Sequence, residues 1–382
     1  MNFQQKYTFS FPTVIRFGAG VVAELGDYLK SQHLSKPLLV TDPLVRELDF
    51  FTKIISRLEQ AGISVEVFSE VHKNPVKSDV LKGKKSYQET DRDSIIGIGG
   101  GVGLDVARAI ALSINHHRDL FDYDDLIGGD QYVTEPIPHF VTIPTTAGTG
   151  SEVGRSAIIS EDESKKKRIL FAPSLMAKIV FADPELTMDL PAFVTAATGM
   201  DALTHNMEAY LSKNWHPMCS GIALEGIQLI GKSLEKATLR PDIESRSNML
   251  MASMMGAVAF QKGLGVVHSL AHPLSSLLDT HHGLANAVNL PQGLAFNYGG
   301  SEEKFDQMAL MLGLNKGEGS QLPVYIANLN ARLGLPANLT SIGVLPSHIA
   351  TLSDLAFADF CHPNNPKPVS QYDFEIMYTN AL

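Results

Sequence analysis

Apolar positions in the first half of the chain follow two alternating periods. Short β-branched runs at 37–41, 64–68, 94–98, 139–143 and 178–181 read as strands. Between them, 21–31, 44–60 and 104–114 place apolar residues three to four apart and read as helices. Strands that alternate with helices build βαβ units, so the pattern predicts a mainly parallel sheet with helices on both faces. After Asp183-Pro184, Ala, Leu, Met and Glu dominate and the strand-like alternation disappears. The chain is therefore expected to divide into an α/β domain over 1–184 and an all-α domain over 185–382. The methionines at 249, 251, 254 and 255 lie at helical spacing and are assigned to core packing.

Length and composition agree with that division. A chain of 382 residues, 44% hydrophobic and 19% charged, exceeds the usual size of one hydrophobic core, so two domains sharing a cleft are expected. The formal net charge of -10, with no long basic stripe, argues against nucleic acid as a partner. The basic run 165–168 follows Glu161, Asp162 and Glu163 and reads as a solvated turn of mixed charge, with Lys167 set apart. Two cysteines, Cys219 and Cys361, make no disulfide framework, which suits a reducing cytoplasm. The N-terminus carries no secretory pattern and no long apolar stretch appears elsewhere, so neither secretion nor a membrane is expected. The tail 361–368 reads as a Pro/Asn loop, its Cys-His pair being too little for a metal.

Two glycine-rich turns carry candidate chemistry. Residues 94–101 run a strand into Gly99-Gly100-Gly101, with a helix expected from Leu104. Glycines let a phosphate approach the backbone, and the following helix offers free N-H groups and the positive end of its dipole. The segment IPTTAGTGSE at 143–152 also follows a strand and adds hydroxyls at the same carboxyl edge, where open α/β sheets bind ligands. Asp42, which ends the first strand, is placed either to bind ribose hydroxyls and repel a 2′-phosphate or to cap a helix before Pro43.

A second constellation lies in the helical half. Asp201 and His205 are four apart and share one helix face. Four of the 13 histidines, His268, His272, His281 and His282, then fall close together among apolar and small residues. One carboxylate with three imidazoles suits a borderline ion, Fe²⁺ or Zn²⁺, better than Mg²⁺ or Ca²⁺. Beyond His268, the spacing leaves open which of His272, His281 and His282 completes the set.

These segments resemble the iron-containing, group III alcohol dehydrogenases. The similarity spans nearly the whole chain and is carried by IPTTAGTGSE at 143–152, ATGMDALTHNMEAY at 197–210 and HSLAHPLSSLLDTHHGLANAV at 268–288. The resemblance implies metal ligation by Asp201, His205, His268 and His282, the last because it precedes glycine. It places His272 outside the metal shell as a proton-relay or positioning residue. It implies cofactor contacts at Asp42, Gly100, Gly101, Thr145, Thr146, Thr149 and Lys167, with NAD in preference to NADP and Fe²⁺ in preference to Zn²⁺. Family members often carry Ser after the glycine triplet, whereas Val102 and Gly103 follow here, so that hydroxyl contact is missing.

The expected function is metal-dependent interconversion of a small primary alcohol or diol and its aldehyde, in a cytoplasmic homo-oligomer. A maleylacetate-type oxo-acid reductase is an alternative, disfavoured by the full Asp-His-His-His set. A dehydroquinate-synthase-type lyase is another, disfavoured because 197–210 and 268–288 supply almost no basic side chains for a phosphorylated substrate. A non-catalytic nucleotide-binding protein leaves the clustered histidines without a role.

Overall fold

In the computed structural model, residues 9–382 are described; part of the N-terminal stretch read above for a leader, 1–8, lies outside them. The chain packs as two units. One gathers Pro12–Thr146 with Gly150–Thr187, and the other Met188–Leu382 with Ala147–Thr149 and the described residues before Pro12.

The first unit is built on eight strands: β1 Val14–Phe17, β2 Pro37–Val40, β3 Glu66–Phe68, β4 Ser94–Gly99, β5 His139–Pro144, β6 Ser156–Ser160, β7 Lys167–Phe171 and β8 Ile179–Ala182. Six of them form a sheet in the order β1-β8-β5-β4-β2-β3, and every pairing is parallel. Its helices are α1 Leu25–Ser31, α2 Pro43–Arg46, α3 Asp49–Gln60, α4 Lys77–Glu89 and α5 Gly101–Asn115. Side chains of a strand alternate between faces, and both faces here are covered. Leu38, Val40 and Ile95 pack with Val80, Val106 and Ile110. Leu39, Ile96 and Ile98 pack with Leu25, Phe51, Ile54 and Leu58 on the other side.

The five predicted strands form with ends shifted by a residue or two, while the stretch 21–31 opens with a 3-10 turn before α1 and the stretch 44–60 divides into α2 and α3. The exceptions have physical reasons. Helix α5 begins at Gly101, three residues before the expected start, because glycines hide a helix start from apolar periodicity. Helix α4 was not expected because it carries only Asp79, Val80 and Gly83 as buried residues, too few for an apolar stripe. Gly83 is what allows it to lie on α5, since a Cβ there would sit 2.2 Å from Ile110 Cδ1. Strand β1 is a largely exposed edge strand, and β6 and β7 form a separate antiparallel hairpin. The basic run is only half a turn: Lys165 and Lys166 precede β7, but Lys167 opens that strand, and Arg168 pairs with Glu161 and the buried Asp124.

The second unit is helical as expected: α6 Ala192–Leu211, α7 Pro217–Leu239, α8 Ile243–Ala259, α9 Val266–Leu278, α10 His282–Asn297, α11 Glu302–Met311, α12 Leu322–Arg332, α13 Ile349–Phe357 and α14 Gln371–Ala381. Helix α6 is buried over nearly its whole surface and forms the centre of this unit. Met249 and Met254 are core residues. Among the described residues no single helix is long and apolar enough to cross a membrane.

A buried charge network ties α5 to the turn after β5. The fully buried Arg108 donates to Ser151 Oγ at 2.9 Å, Ser156 O at 2.7 Å and Leu175 O at 3.2 Å. Asp105 accepts from Ser151 Oγ at 2.6 Å and from the Ile158 N-H at 3.0 Å. Glu152 is also buried, and its Oε1 has no hydrogen-bond partner. Burial therefore pushes the Glu152 carboxyl up to about 7, against the pull of its own backbone N-H and Arg108. A carboxyl raised above its unfolded value gives stability that is full at low pH and is lost as pH rises through the folded value. Glu152→Gln is thus expected to match the wild type in urea unfolding near pH 5 and to exceed it by roughly 1–3 kcal/mol near pH 8. An equal difference at both pH values contradicts this reading.

Candidate metal centre

Three helices of the second unit bring the candidate ligands together. On α6, Asp201 and His205 stand one turn apart; α9 supplies His268 and α10 supplies His282 as its first residue. Two glycines permit this packing. A Cβ at Gly283 would lie 2.3 Å from Ala197 O, so α10 can meet α6 this closely only without one. A Cβ at Gly256 would lie 3.0 Å from His205 Cβ, so α8 reaches the back of His205 in the same way.

Asp201 Oδ1 lies 3.5 Å from His282 Nε2 and 4.0 Å from both His205 Nε2 and His268 Nε2. The His205 and His268 rings stack with centroids 4.7 Å apart, and His282 is tilted against His268 at 5.5 Å. Asp201, His205 and His268 are buried, whereas the His282 side chain keeps 29% exposure, so the cluster opens on its side. His281 is elsewhere engaged: its Nδ1 accepts from the Leu284 N-H at 3.4 Å as the cap of α10. His272 donates its Nδ1-H to Asp359 Oδ2 at 2.7 Å, and its ring stacks between His282 and Phe360.

The cofactor candidates sit mostly at carboxyl ends of adjacent strands in the first unit. From β2 the chain passes outward to β3, and from β4 it passes the opposite way to β5, so the order reverses between β2 and β4. Asp42 follows β2 and caps α2, its Oδ1 accepting from Leu44 N and Val45 N at 2.9 Å each. Its Oδ2 would lie 3.4 Å from a Cβ on Gly99, beside the glycine turn. Gly100 caps α5 and Gly101 is its first residue. Thr145 donates its N-H to Gly99 O at 3.0 Å, and Thr146 Oγ1 would lie 3.1 Å from a Cβ on Gly100, so the two glycine-rich turns touch. Thr149 packs with the helical unit beside Gly148, where a Cβ would meet Thr198 Cβ at 2.8 Å. Lys167 stands on β7 in the hairpin.

Two family models match consecutive parts of the chain: iron-containing alcohol dehydrogenase over residues 12–184, and the C-terminal region of the Fe-containing alcohol dehydrogenase family over 195–382. The 4-hydroxybutyrate dehydrogenase of Cupriavidus necator is 36% identical, covering 97% of this chain and 98% of that protein. The NAD-dependent methanol dehydrogenase of Bacillus methanolicus is 33% identical, covering 98% and 99%. Among solved structures, a 1,3-propanediol oxidoreductase superposes with a TM-score of 0.93 at 32% identity, covering 99% of this chain and 100% of that one. The chain belongs to the iron-containing alcohol dehydrogenase family.

The donor set of this alcohol dehydrogenase fits a divalent ion. Asp201 Oδ1 and the Nε2 atoms of His205, His268 and His282 gather in one region, where the Asn286 amide donates to the carboxylate. Its Nδ2 lies 2.7 Å from Asp201 Oδ1, 3.2 Å from His282 Nε2 and 3.4 Å from His268 Nε2. Burial alone would push the Asp201 carboxyl up, but the imidazoles of His205, His282 and His268 and the Asn286 amide hold it at about 2. Desolvation pushes His268 well down, which keeps its imidazole neutral and able to ligate.

Three residues of the site escaped sequence reasoning. Glu208 lies three residues beyond His205 on α6, and its carboxylate meets His268 Nδ1 at 2.6 Å. Asn286 lies one turn beyond His282 on α10. Both sit at helical spacing from a candidate ligand and could have been found that way. Asp359, held well below the usual carboxylate range by His272 and Ser269 against burial, follows α13 and has no local signal pointing to His272.

Because Gly283 sets the approach of α10 to α6, Gly283→Ala is expected to destabilise the protein by about 1–3 kcal/mol in urea unfolding. It is also expected to lower bound metal below one ion per chain by elemental analysis. A variant with wild-type stability and metal content would show that the contact does not set the site.

Proposed function

We propose that Asp201, His205, His268 and His282 hold one divalent ion, Fe²⁺ in preference to Zn²⁺, and that the protein oxidises small primary alcohols or diols with NAD. The convergence of Asp201 Oδ1 with three Nε2 atoms carries this reading. Relatives named for hydroxybutyrate, methanol and propanediol support the substrate class, and an NAD-dependent relative supports the cofactor. A bound ion supplies Lewis-acid polarisation of the alcohol oxygen, and the oxidised nicotinamide accepts the hydride and its two electrons.

The chain's own residues do the rest. The buried carboxylate and imidazoles orient the alcohol oxygen on the open side, beside His282 and His272. His272, fixed by Asp359, takes the hydroxyl proton and passes it toward water. In the proposed division of labour, 1–184 binds the dinucleotide and 185–382 the metal and alcohol. Gly100 and Gly101 admit the pyrophosphate to the N-terminus of α5, with Thr145, Thr146, Thr149 and Lys167 as further contacts. Asp42 keeps one carboxylate oxygen beside the glycine turn for ribose hydroxyls, and its charge opposes a 2′-phosphate. A homo-oligomer in a reducing cytoplasm completes the proposal, in keeping with the two free, buried cysteines.

Two experiments test it. Chelation, or His268→Ala, is expected to bring NADH formation from a panel of small alcohols to background, with Fe²⁺ restoring only the chelated wild type. Turnover by metal-free protein contradicts the metal role. Asp42→Gly, a change that costs a helix cap only a few tenths of a kcal/mol, is expected to lower the NAD-to-NADP ratio of kcat/KM by about tenfold or more. An unchanged ratio leaves Asp42 as a cap alone.

A further inference from the structure

We propose that Glu208 is a positioning residue that fixes the tautomer of His268, holding the ring hydrogen on Nδ1 so that Nε2 presents a lone pair to the metal centre. The inference rests on the assignment of His268 as a ligand. Glu208 Oε1 accepts from the Val267 N-H at 2.6 Å. Its Oε2 faces the N-H groups of Gly265 at 3.1 Å and His268 at 3.3 Å, together with His268 Nδ1 at 2.6 Å. The three main-chain groups can only donate, so the ionised carboxylate, the form at the pH of about 8 used below, accepts on every side and takes the hydrogen of Nδ1.

The same carboxylate serves as the cap of α9. Gly265, the residue before that helix, has no side chain to satisfy the first N-H groups, and Glu208 reaches across from α6 to do so. Backbone and ring of His268 are therefore anchored by one group. Asp201 and Glu208 are seven residues apart on α6 and project from nearly the same face, so a single helix supplies both a ligand and the anchor of another.

The surroundings of the other ring nitrogen agree. Asn286 Nδ2 lies 2.7 Å from Asp201 Oδ1, and a carboxylate accepts, so the NH₂ of Asn286 faces the centre. That NH₂ also lies 3.4 Å from His268 Nε2, a position that a lone pair on Nε2 suits. His205 contrasts with this arrangement, since its buried Nδ1 has no hydrogen-bond partner. Carboxylate hold is thus a property of His268 and not of every imidazole in the cluster. When a ligating imidazole donates its remote N-H to a carboxylate, the ring is oriented and its basicity raised.

Glu208→Gln separates this role from plain capping. If the Gln oxygen keeps the Val267 N-H, its NH₂ faces Nδ1 and donates to it, which moves the ring hydrogen to Nε2 and blocks ligation. In metal-stripped protein at about pH 8, chelator competition with Fe²⁺ or Zn²⁺ is expected to show affinity lowered by about 10–100-fold in the variant. Binding within a few-fold of the wild type overturns the inference. The decisive measurement needs no variant. Ring ¹⁵N NMR of histidine-labelled, metal-stripped wild type is expected to show His268, identified by its loss in His268→Ala, as the Nδ1-H tautomer. An Nε2-H signal overturns the inference even if Glu208→Gln does not fold. Retention of one metal ion by His268→Ala would instead overturn the ligand assignment beneath it.

Discussion

The packing of the helical unit brings one carboxylate and three imidazoles around a common region that is buried except on the His282 side. Unpaired buried charge is costly, and lone pairs that face one another without a donor are unsatisfied. Burial pushes the Asp201 carboxyl up while its imidazole neighbours and the Asn286 amide bring it down, and desolvation lowers His268. A divalent cation resolves both demands together, and the Asn286 amide partly meets them with its NH₂. Gly283 and Gly256 let α10 and α8 close on α6, which is why the most buried helix of the unit carries Asp201, His205 and Glu208.

The sheet unit is organised differently. Its parallel order reverses between β2 and β4, and the residues after those strands and after β5 gather at one edge. A Cβ on Gly100 would crowd Thr146 Oγ1 at 3.1 Å, so the glycine helps the two glycine-rich turns lie in contact. Arg108, buried beneath, ties α5 to Ser151 and so holds the start of that helix and the end of the second turn in one piece.

Much of this was legible in the sequence because the signals were periodic. Strands β2, β4, β5 and β8 are continuous apolar runs buried on both faces, and the alternation of strand and helix fixes a parallel sheet. The pairing of Asp201 with His205 follows from helical spacing alone. Among the three histidines that spacing left open, His281 caps α10, His272 turns to Asp359, and His282 lies 3.5 Å from Asp201 Oδ1. The hidden parts lacked a pattern. Helix α4 buries too few residues to show a stripe, β1 is an exposed edge, and β6 and β7 were masked by a basic run whose Arg168 serves an internal ion pair. Asp359 joins His272 only through the fold.

The most direct test of a shared cation is an anomalous difference map from crystals of the iron-loaded protein, measured across the iron edge. One peak per chain is expected, bounded by Asp201, His205, His268 and His282 at ligand distances of about 2.0–2.2 Å. A peak at another cluster, such as His272, Asp359 and Cys361, or iron-loaded crystals without a peak among these four residues, would contradict the central claim.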